Sequence, residues 1–367
     1  MSLALLGSTG SIGVNTLRVA KAFQTPIELL VAGKNIELLN SQIQEFSPSY
    51  VVIAEKNDLD KVQSKGAKVF YGSEGILEAL SLCSSSLVLN ALVGFVGLEP
   101  TIHAISLGKQ VALANKESLV TAGWLIDTKK IIPVDSEHFS LWHLLQGSKN
   151  FSSLFITASG GAFRDTPLES IPTQTPSNAL KHPNWSMGAK ITIDSASMVN
   201  KLFEVLEAFW LFGSKRVDAL IERNSLIHAL VEFEDGSMSA HFAKPDMALA
   251  ISYALNPTLA SKTSFLPKIS MQDLSNLSLS PIDCTRYPLW ELKDALLENP
   301  KLGVVLNACN EVAIEGFLKE KYLFGEMLSI IIQSISHFST PSSLSSLEEI
   351  KELDSEVRDY ARSLSEL

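Results

Sequence analysis

An alternation of short apolar runs with amphipathic segments fills the chain up to about residue 135 and constrains the fold more than any other feature. Each run has the length of a buried strand, and between the runs apolar residues recur every three or four positions, as in helices. The runs occupy residues 3–6, 29–32, 50–53, 69–71, 87–92, 111–114 and 131–134. This series predicts an α/β domain over residues 1–135, built on a doubly wound, mostly parallel sheet.

The pattern changes after residue 135 and predicts further domains. Residues 136–256 combine a helix with segments that alternate like antiparallel strands, and a polar loop containing glycine and proline at 159–189 is typical of a flexible lid. Residues 257–288 lack periodicity and are interpreted as a linker. Helical spacing over residues 289–367 completes the prediction of a central α+β catalytic domain followed by a C-terminal all-α helical bundle.

Composition and charge exclude several classes of protein. Hydrophobic residues make up 46% of the 367 and charged residues 19%, as in globular chains rather than disordered ones. The formal charge of −10 disfavours nucleic acid as a partner. No apolar run reaches the roughly 18 residues of a membrane helix. Three cysteines without metal-type spacing, and no room for a signal peptide before the first glycine-rich turn, favour a reducing cytoplasm.

A glycine-rich turn separates the first predicted strand from the first predicted helix. Its run, GSTGSIG at residues 7–13, allows backbone N–H groups at a helix N-terminus to approach a pyrophosphate. Enzymes that prefer NAD usually have an acidic residue after the second strand, whereas this chain has the run AGKN from Ala32. Lys34 favours a 2′-phosphate, so the pattern indicates a Rossmann-like NADPH domain. A solvated surface lysine is the alternative interpretation.

Two carboxylates follow the last strand of this domain. Asp135 and Glu137, two positions apart, would point to one side of an extended chain. They would lie at the carboxyl edge of the sheet, where ligands of open α/β sheets bind. Oxygen ligands of this kind select Mg²⁺ or Mn²⁺. The alternatives are a solvated acid pair or a cap for a helix that begins near Ser136.

A second polar group surrounds a helix predicted over about residues 198–212. Small hydroxyl residues precede it, and Asn200, Lys201 and Glu204 share its first exposed face. Hydroxyls, an amide, an ammonium and a helix N-terminus are suited to a phosphate, and the carboxylate can complete a metal shell. The alternative is a capped helix with a surface ion pair between Lys201 and Glu204.

The predicted lid carries His182 and Trp185, which a polar, glycine-bounded loop does not readily bury. A tryptophan there can close over a polar substrate and exclude water; an exposed anchor for a partner is the alternative. His228 and His241 lie in predicted strands and are interpreted as structural. Cys309 lies on a helical stripe and is interpreted as a core residue.

Several runs together carry a resemblance to one enzyme family. They are GSTGSIG from Gly7, ALANKESLV from Ala112, PVDSEH from Pro133, SGGAFRD from Ser159, HPNWSMG from His182, KITIDSASMVNKLFEVLEA from Lys190 and NACNEVA from Asn307. With these motifs in the same order over about residues 3–320, the chain resembles the 1-deoxy-D-xylulose 5-phosphate reductoisomerases.

The resemblance implies a cytoplasmic homodimer that uses NADPH and Mg²⁺ or Mn²⁺. Its small-molecule substrate would be a sugar phosphate, 1-deoxy-D-xylulose 5-phosphate, and its product 2-C-methyl-D-erythritol 4-phosphate, in non-mevalonate isoprenoid precursor biosynthesis. In the family the reaction is described as retro-aldol cleavage and re-addition followed by hydride reduction. No nucleic acid or membrane partner is implied.

The resemblance also implies roles for individual residues. The metal ligands are Asp135, Glu137 and Glu204. The substrate contacts are Ser136, Ser159, His182, Trp185, Met187, Ser195, Asn200 and Lys201. The catalytic residues are Glu137, as the candidate for proton transfer, with Lys116, Lys201 and His182. The cofactor contacts are Gly7, Ser8, Thr9, Gly10, Ser11, Ile12, Gly13, Gly33, Lys34, Asn35, Asn115, Lys116, Glu117 and Gly188.

The chain departs from the family pattern at two positions. Leu202 stands where the family commonly has glycine, and Ser252 stands where many members have histidine.

Two rival functions stay open at this point. A semialdehyde-dehydrogenase-like NADP oxidoreductase would need a cysteine nucleophile, but none of the three cysteines lies in a glycine-rich or histidine-paired loop. A non-enzymatic NADPH-binding regulator would not need the carboxylates. The intact carboxylate set also argues against a degenerate relative.

Overall fold

A computed structural model describes residues 2–146, 150–185, 187–339 and 344–365. Over these ranges the chain forms two compact units, each with its own hydrophobic core. The first unit contains the residues up to Ser118 together with Ile126–Phe139 and Asp246–Pro267. The second contains Leu119–Leu125, Ser140–Pro245 and the chain from Lys268 onward. Ser186, within the predicted lid, lies outside the described residues.

The elements follow one another in a mixed α/β order. The strands are β1 (Leu3–Leu6), β2 (Ile27–Val31), β3 (Tyr50–Ile53), β4 (Lys68–Tyr71), β5 (Leu87–Asn90), β6 (Gln110–Leu113), β7 (Ile131–Pro133), β8 (Phe151–Ala158), β9 (Val217–Ile221), β10 (Ile227–Phe233), β11 (Met238–Phe242) and β12 (Ser280–Pro281). The helices are α1 (Ser11–Ala22), α2 (Ile36–Phe46), α3 (Gly72–Leu82), α4 (Leu98–Ser106), α5 (Lys116–Ala122), α6 (Ser136–Leu144), α7 (Pro176–Ala179), α8 (Ala189–Ser197), α9 (Val199–Phe212), α10 (Ala248–Leu255), α11 (Pro257–Ala260), α12 (Met271–Leu274), α13 (Lys293–Glu298), α14 (Leu302–Leu318), α15 (Phe324–His337) and α16 (Leu347–Ser365).

The first unit is a seven-stranded sheet in which every pair of neighbouring strands is parallel. The strand order is β4-β3-β2-β1-β5-β6-β7. All four residues of β1 are buried, as in the central strands of parallel sheets that are covered on both faces. The predicted doubly wound α/β fold is confirmed. Chain order reverses between β1 and β5, and such switch points form ligand-binding crevices at the carboxyl ends of the strands.

Helix α10 lies far along the chain from these strands but belongs to the same unit. Ala248 and Ile251 are buried in the core of the first unit, and Arg18 of α1 forms an ion pair with Asp246 at 3.1 Å. The division of the chain therefore differs from the predicted boundary at residue 256. Periodicity shows that a helix is amphipathic, but it does not show which core its apolar face joins.

The second unit contains a five-stranded mixed sheet in the order β11-β10-β8-β9-β12. Strands β8 and β9 are parallel, and the remaining neighbours are antiparallel. Strands β10 and β11 form an antiparallel hairpin, with a turn in which the Asp235 carboxylate accepts a hydrogen bond from Ser237 N at 2.9 Å. This sheet and the helices α8 and α9 position the second group of candidate site residues.

Helices α14, α15 and α16 share the core of the second unit. Arg358 of α16 forms an ion pair with Glu311 of α14 at 2.6 Å, which ties the last helix to the longest buried one. The predicted C-terminal helices are confirmed. The predicted linker, in contrast, contains α11, α12 and β12. None of the described helices combines the length and apolar character that a membrane crossing requires.

Candidate active site

The turn between β1 and α1 requires glycine at two positions. Gly7 has a φ of 88°, in the left-handed region that favours glycine. A Cβ on Gly13 would lie 2.2 Å from the carbonyl oxygen of Gly7, closer than real side chains approach. The first turn of α1 therefore packs directly on the end of β1, so the glycines bring a helix N-terminus to the carboxyl edge of the sheet.

The N-terminus of α1 is open to an anion. No side chain caps the helix at Gly10, and its first turn contains no acidic residue. Ser8 Oγ is buried and has no hydrogen-bond partner among the described residues, while the Ser8 carbonyl accepts a hydrogen bond from Gln42 Nε2 at 2.9 Å. The N–H groups and partial positive charge of this helix end can bind a phosphate. Three further predicted cofactor contacts lie in the same segment: Thr9 precedes α1, and Ser11 and Ile12 are its first two residues.

Lys34 follows β2, the neighbour of β1, and therefore lies at the same edge of the sheet. Gly33, Lys34 and Asn35 are all exposed. Asn35 caps α2 by accepting a hydrogen bond from Leu38 N at 3.1 Å. The cap fixes the end of the loop, so the Lys34 ammonium is presented from a short, anchored segment.

A partly buried ion pair joins the ends of the neighbouring strands β6 and β7. Lys116, at the start of α5, contacts Asp135 with its Nζ 2.6 Å from Oδ1. The preceding residue, Asn115, is buried and donates hydrogen bonds of 2.9 Å to two carbonyls of the loop after β5 and to Glu117 Oε2. These contacts fix the loop that carries Lys116.

The Asp135 carboxylate stays ionised although its Oδ2 atom is buried. Burial alone raises its pKa, but the Lys116 ammonium and His138 outweigh that effect and hold the pKa of Asp135 below its usual value. Its Oδ2 lies 3.1 Å from Nδ1 of His138, yet it accepts no hydrogen bond of good geometry from the described residues. An ionised oxygen in that state is a suitable cation ligand. The sequence analysis did not select His138, although its i, i+3 spacing from Asp135 is a usable signal.

Glu137 does not lie on an extended chain, which corrects the spacing argument for the carboxylate pair. Ser136 and Glu137 are the first residues of α6, and Phe139 N donates to the Asp135 carbonyl at 2.8 Å. The Ser136 hydroxyl donates to Glu137 Oε2 at 2.7 Å. The chain is helical rather than extended from Ser136 onward, and the Asp135 carbonyl accepts the first hydrogen bond of α6.

In the second unit, the loop after β8 and the predicted lid meet through Ser159 and His182. Ser159 Oγ lies 3.0 Å from Nε2 of His182 and accepts a hydrogen bond from Gly161 N at 3.2 Å. The other ring nitrogen, Nδ1, accepts from Asn184 N at 3.2 Å and from Trp185 N at 2.9 Å. This arrangement assigns the proton of neutral His182 to Nε2, which donates to Ser159 and leaves the serine hydroxyl hydrogen for a ligand.

His182 is neutral at pH 7. Burial, with a smaller contribution from the charge of Arg164, lowers the pKa of His182 from 6.5 to about 4. Protonation of Nδ1 would also break the two hydrogen bonds that it accepts from the lid backbone. Arg164 donates to the carbonyls of Ser159 and Arg223 at 3.1 and 2.8 Å, so it stabilises the same loop.

The lid is anchored on the loop between β9 and β10 and on β10 itself. The Asn184 amide donates to Arg223 O and to Ser225 Oγ, each at 2.7 Å. The ring of Trp185 packs edge-on against the ring of His228, with centroids 6.4 Å apart. Met187 is half-buried, and Gly188 precedes α8 at a point where a Cβ would meet no atom within 4 Å.

Helices α8 and α9 meet at Met198, a buried residue with a φ of 69°. The run from Asp194 to Ser197, whose hydroxyl residues were predicted to precede a helix, itself forms the end of the helix α8. Ser195 Oγ donates back to Ile191 O at 3.0 Å. The left-handed residue ends one helix and begins the next, so both helix ends are held at one corner.

The predicted exposed face of α9 is buried. Lys201 is 4% exposed and Glu204 is 1% exposed. The Lys201 ammonium contacts both the Thr157 carbonyl of β8 and Glu204 Oε2. Asn200 Nδ2 donates to Glu204 Oε1 at 2.5 Å, while Asn200 Oδ1 is buried without a hydrogen-bond partner among the described residues. The prediction of exposure was wrong because α9 packs against β8 and β9.

Comparison with known proteins places this chain in one family along its whole length. Profiles described as 1-deoxy-D-xylulose 5-phosphate reductoisomerase, its C-terminal domain, and the DXP reductoisomerase C-terminal domain match residues 3–123, 131–212 and 242–360. The 1-deoxy-D-xylulose 5-phosphate reductoisomerase of Wolinella succinogenes is 57% identical over 363 residues, covering 99% of this chain and 100% of the relative. The chain belongs to the 1-deoxy-D-xylulose 5-phosphate reductoisomerase family.

Other members of the family agree with this assignment. The 1-deoxy-D-xylulose 5-phosphate reductoisomerase of Helicobacter pylori strain Shi470 is 57% identical over 360 residues, covering 97% of this chain and 98% of the relative. A crystal structure of DOX-P reductoisomerase with NADPH, fosmidomycin and magnesium has a TM-score of 0.91 at 30% identity, with 100% and 98% coverage. The enzyme of Zymomonas mobilis with NADPH has a TM-score of 0.87 at 32% identity, with 100% and 99% coverage.

The two departures from the family pattern lie in ordinary packing environments. Leu202 is fully buried in the core of the second unit. Ser252 is buried in α10, where its hydroxyl donates to Leu249 O at 2.7 Å.

Proposed function

We propose that this chain is an NADPH- and divalent-metal-dependent enzyme that converts 1-deoxy-D-xylulose 5-phosphate to 2-C-methyl-D-erythritol 4-phosphate in non-mevalonate isoprenoid precursor biosynthesis. The observation that carries this proposal is membership of the reductoisomerase family over the full length of the chain. The geometry of the candidate residues supports each part of it. Cytoplasmic location and a homodimeric state belong to the same proposal.

The residues of the first unit fit NADPH. The turn before α1 contains glycines at positions where a Cβ would clash with the backbone. Helix α1 has no side-chain cap and no acidic residue in its first turn. These features suit the binding of a pyrophosphate. Lys34, at the same sheet edge, supplies the positive charge that a 2′-phosphate requires. Asn115, Lys116 and Glu117 follow β6 at that edge and would lie beside the reducing end of the cofactor. When bound, NADPH supplies the hydride for the final reduction.

The candidate metal ligands form an all-oxygen donor set, which fits Mg²⁺ or Mn²⁺. They are Asp135, whose buried Oδ2 accepts no hydrogen bond of good geometry from the described residues, with Glu137 and Glu204. A bound divalent cation supplies Lewis-acid polarisation of the substrate carbonyl and hydroxyl oxygens. Lys116 and Lys201 each neutralise one of these carboxylates in the protein itself.

The residues of the second unit fit a sugar phosphate. Ser159 and Ser195 offer hydroxyl groups, and neutral His182 holds the first of these through Nε2. Asn200 Oδ1 is a buried acceptor that a substrate hydroxyl can satisfy. Lys201 supplies positive charge near it. Phosphate binding by groups remote from the reacting carbons would drive closure of the lid and orient the substrate.

Proton transfer is assigned to Glu137. The Ser136 hydroxyl donates to its Oε2 at 2.7 Å, which orients the carboxylate and leaves it able to accept a proton from a substrate hydroxyl. Retro-aldol cleavage and re-addition would rearrange the carbon skeleton before reduction. Trp185, with Met187 beside it in the lid, would exclude water from the reacting carbons.

The test is to incubate the purified protein with 1-deoxy-D-xylulose 5-phosphate, NADPH and Mg²⁺ while following the nicotinamide absorbance and the product mass. We expect NADPH oxidation that requires all three components and stops with EDTA. Oxidation without metal, or no oxidation with all components present, would contradict the proposal.

A cysteine-dependent dehydrogenase would need an accessible thiol that ionises readily, and the cysteines of this chain give little support for one. Cys83 and Cys309 are buried, and burial raises the pKa of Cys83 and raises that of Cys309 to about 12. Such thiols remain protonated and are poor nucleophiles. Cys83 and Cys309 should therefore resist thiol-blocking reagents, and we expect modification of the half-buried Cys284 to leave turnover intact. Inactivation through any of the three cysteines would favour that rival.

A further inference from the structure

The corner between α8 and α9 is held against the loop that carries Ser159. A Cβ on Gly161, two residues after Ser159, would lie 2.5 Å from the carbonyl oxygen of Ser195. The loop backbone therefore rests directly on the last turn of α8. Because these two segments touch, the position of α8 sets the relative position of the Ser159 and Ser195 hydroxyls.

A buried carboxylate lies next to Ser195 in α8. Asp194 is 2% exposed, and its Oδ2 forms an ion pair with Lys190 Nζ at 3.0 Å. Lys190 lies one turn earlier on the same helix, so this contact does not fix α8 relative to any other element. A buried carboxylate needs further donors to offset its desolvation.

Asn310 of α14 makes a contact that joins α8 to another element. Its Nδ2 donates to Asp194 Oδ1 at 2.7 Å, across 116 residues of sequence. Asn310 is completely buried, so water does not compete for this hydrogen bond. A charge-assisted hydrogen bond in a dry environment is both strong and directional. It connects α8 to α14, a largely buried helix of the C-terminal group.

We propose that Asn310 is a positioning residue for the phosphate end of the substrate. Through its hydrogen bond to Asp194 it fixes the end of α8, and so holds Ser195 at the distance from Ser159 that a phosphate group requires. This inference rests on the proposed function for the phosphate roles of the two serines. It gives the NACNEVA run, which carries no candidate site residue, a role in the second unit.

Removing the amide should loosen the corner rather than unfold the unit. In Asn310→Leu a side chain of similar shape replaces the amide, and the buried Asn310 Oδ1, which has no hydrogen-bond partner among the described residues, disappears with it. Asp194 then keeps its ion pair with Lys190 but loses the hydrogen bond from α14. A buried carboxylate oxygen without its donor is destabilised, so we expect α8 to shift toward a position where water can reach that oxygen. A small displacement of α8 separates the two hydroxyls.

The neighbouring residue provides a matched control. Glu311 follows Asn310 on α14 but pairs with Arg358 of α16 at 2.6 Å. Glu311→Gln thus removes a charged contact of the same helix without touching Asp194. If the effect of Asn310 were only a general loss of stability, both variants would show it.

The experiment titrates inorganic phosphate into the full-length protein saturated with NADPH and Mg²⁺, and follows binding by calorimetry. We expect Asn310→Leu to bind phosphate roughly tenfold more weakly, with a matching rise in KM for the sugar phosphate and no change in KM for NADPH. Glu311→Gln should keep wild-type phosphate affinity while its melting temperature falls. Should Asn310→Leu not fold, Asn310→Ser is measured in the same way with the same expectation.

The outcomes separate this inference from the function on which it rests. Equal phosphate affinity in the wild type and the Asn310 variant, or an equal loss in Glu311→Gln, overturns the positioning role. A wild-type protein that binds phosphate but does not turn over 1-deoxy-D-xylulose 5-phosphate overturns the proposed function; a weaker variant would then still support positioning. A wild type that binds no phosphate at millimolar concentration overturns the positioning role, whereas the proposed function is decided by turnover of 1-deoxy-D-xylulose 5-phosphate alone.

Discussion

Single residues at the first turn decide whether a cofactor can approach the sheet. At Gly13 the missing side chain makes room for the carbonyls of Gly7 and Ser8, which a Cβ would meet at 2.2 and 2.5 Å. At Gly33 a Cβ would meet no atom within 4 Å. The two positions therefore differ sharply, although both are predicted cofactor contacts.

Gly13→Ala should distort the turn and weaken NADPH binding by about tenfold or more, which corresponds to about 1.4 kcal/mol. Its melting temperature should fall as well, because the carbonyls that a Cβ would meet belong to the backbone. Gly33→Ala should keep the wild-type melting temperature. Calorimetric titration with NADPH and thermal unfolding measure both effects; identical behaviour of the two variants would contradict the packing argument.

Lys34 is the residue on which the choice between NADPH and NADH depends in this proposal. Lys34→Ala should raise KM for NADPH by about tenfold, because a charge-assisted hydrogen bond contributes about 1.5–3 kcal/mol, and should leave KM for NADH nearly unchanged. Lys129 precedes β7 at the amino ends of the strands, so Lys129→Ala is the matched control. Equal changes for both cofactors would show that Lys34 does not contact the 2′-phosphate.

At the level of whole elements, the sequence predicted what local patterning encodes. The seven apolar runs correspond to the seven strands of the parallel sheet, because short continuous apolar runs are typical of strands that are buried on both faces. The burial of Lys201 and Glu204 could not be predicted, since polar residues at helical spacing normally face water. Only the packing of α9 on β8, where the Thr157 carbonyl accepts from Lys201, makes that face an interior one.

The buried carboxylate of α9 provides a test of metal binding. Glu204→Gln should lower metal affinity by roughly 100-fold or more and reduce turnover severely, because an anionic ligand is lost while the shape is kept. Glu222→Gln is the control: Glu222 is also buried, but it accepts hydrogen bonds from Asn224 N and Leu226 N at 2.9 and 2.7 Å. It should lose stability and keep the metal dependence. Turnover as a function of Mn²⁺ concentration separates the two results.

At the scale of the molecule, two half-buried histidines contribute to the response to acid. Burial, with smaller effects of His228 and His143, lowers the pKa of His241 to about 4, and His182 is lowered to a similar value. The unfolded chain binds protons on these rings first, so the free energy of unfolding should fall as pH drops from about 6.5 toward 4. His241→Gln should flatten that decline. Urea unfolding at several pH values measures it, and parallel curves for the two proteins would rule out His241.

The first unit also draws on three separate stretches of the chain, with Ala248 and Ile251 of α10 completing its core. Ribosomes add about 5–20 residues per second, and the whole of Ser140–Pro245 is translated between Phe139 and that helix. The seven strands of the parallel sheet are therefore translated before α10, whose apolar residues complete the core of the first unit. Cells that produce this protein should need holding chaperones during that interval, and a fragment released at Phe139 should aggregate.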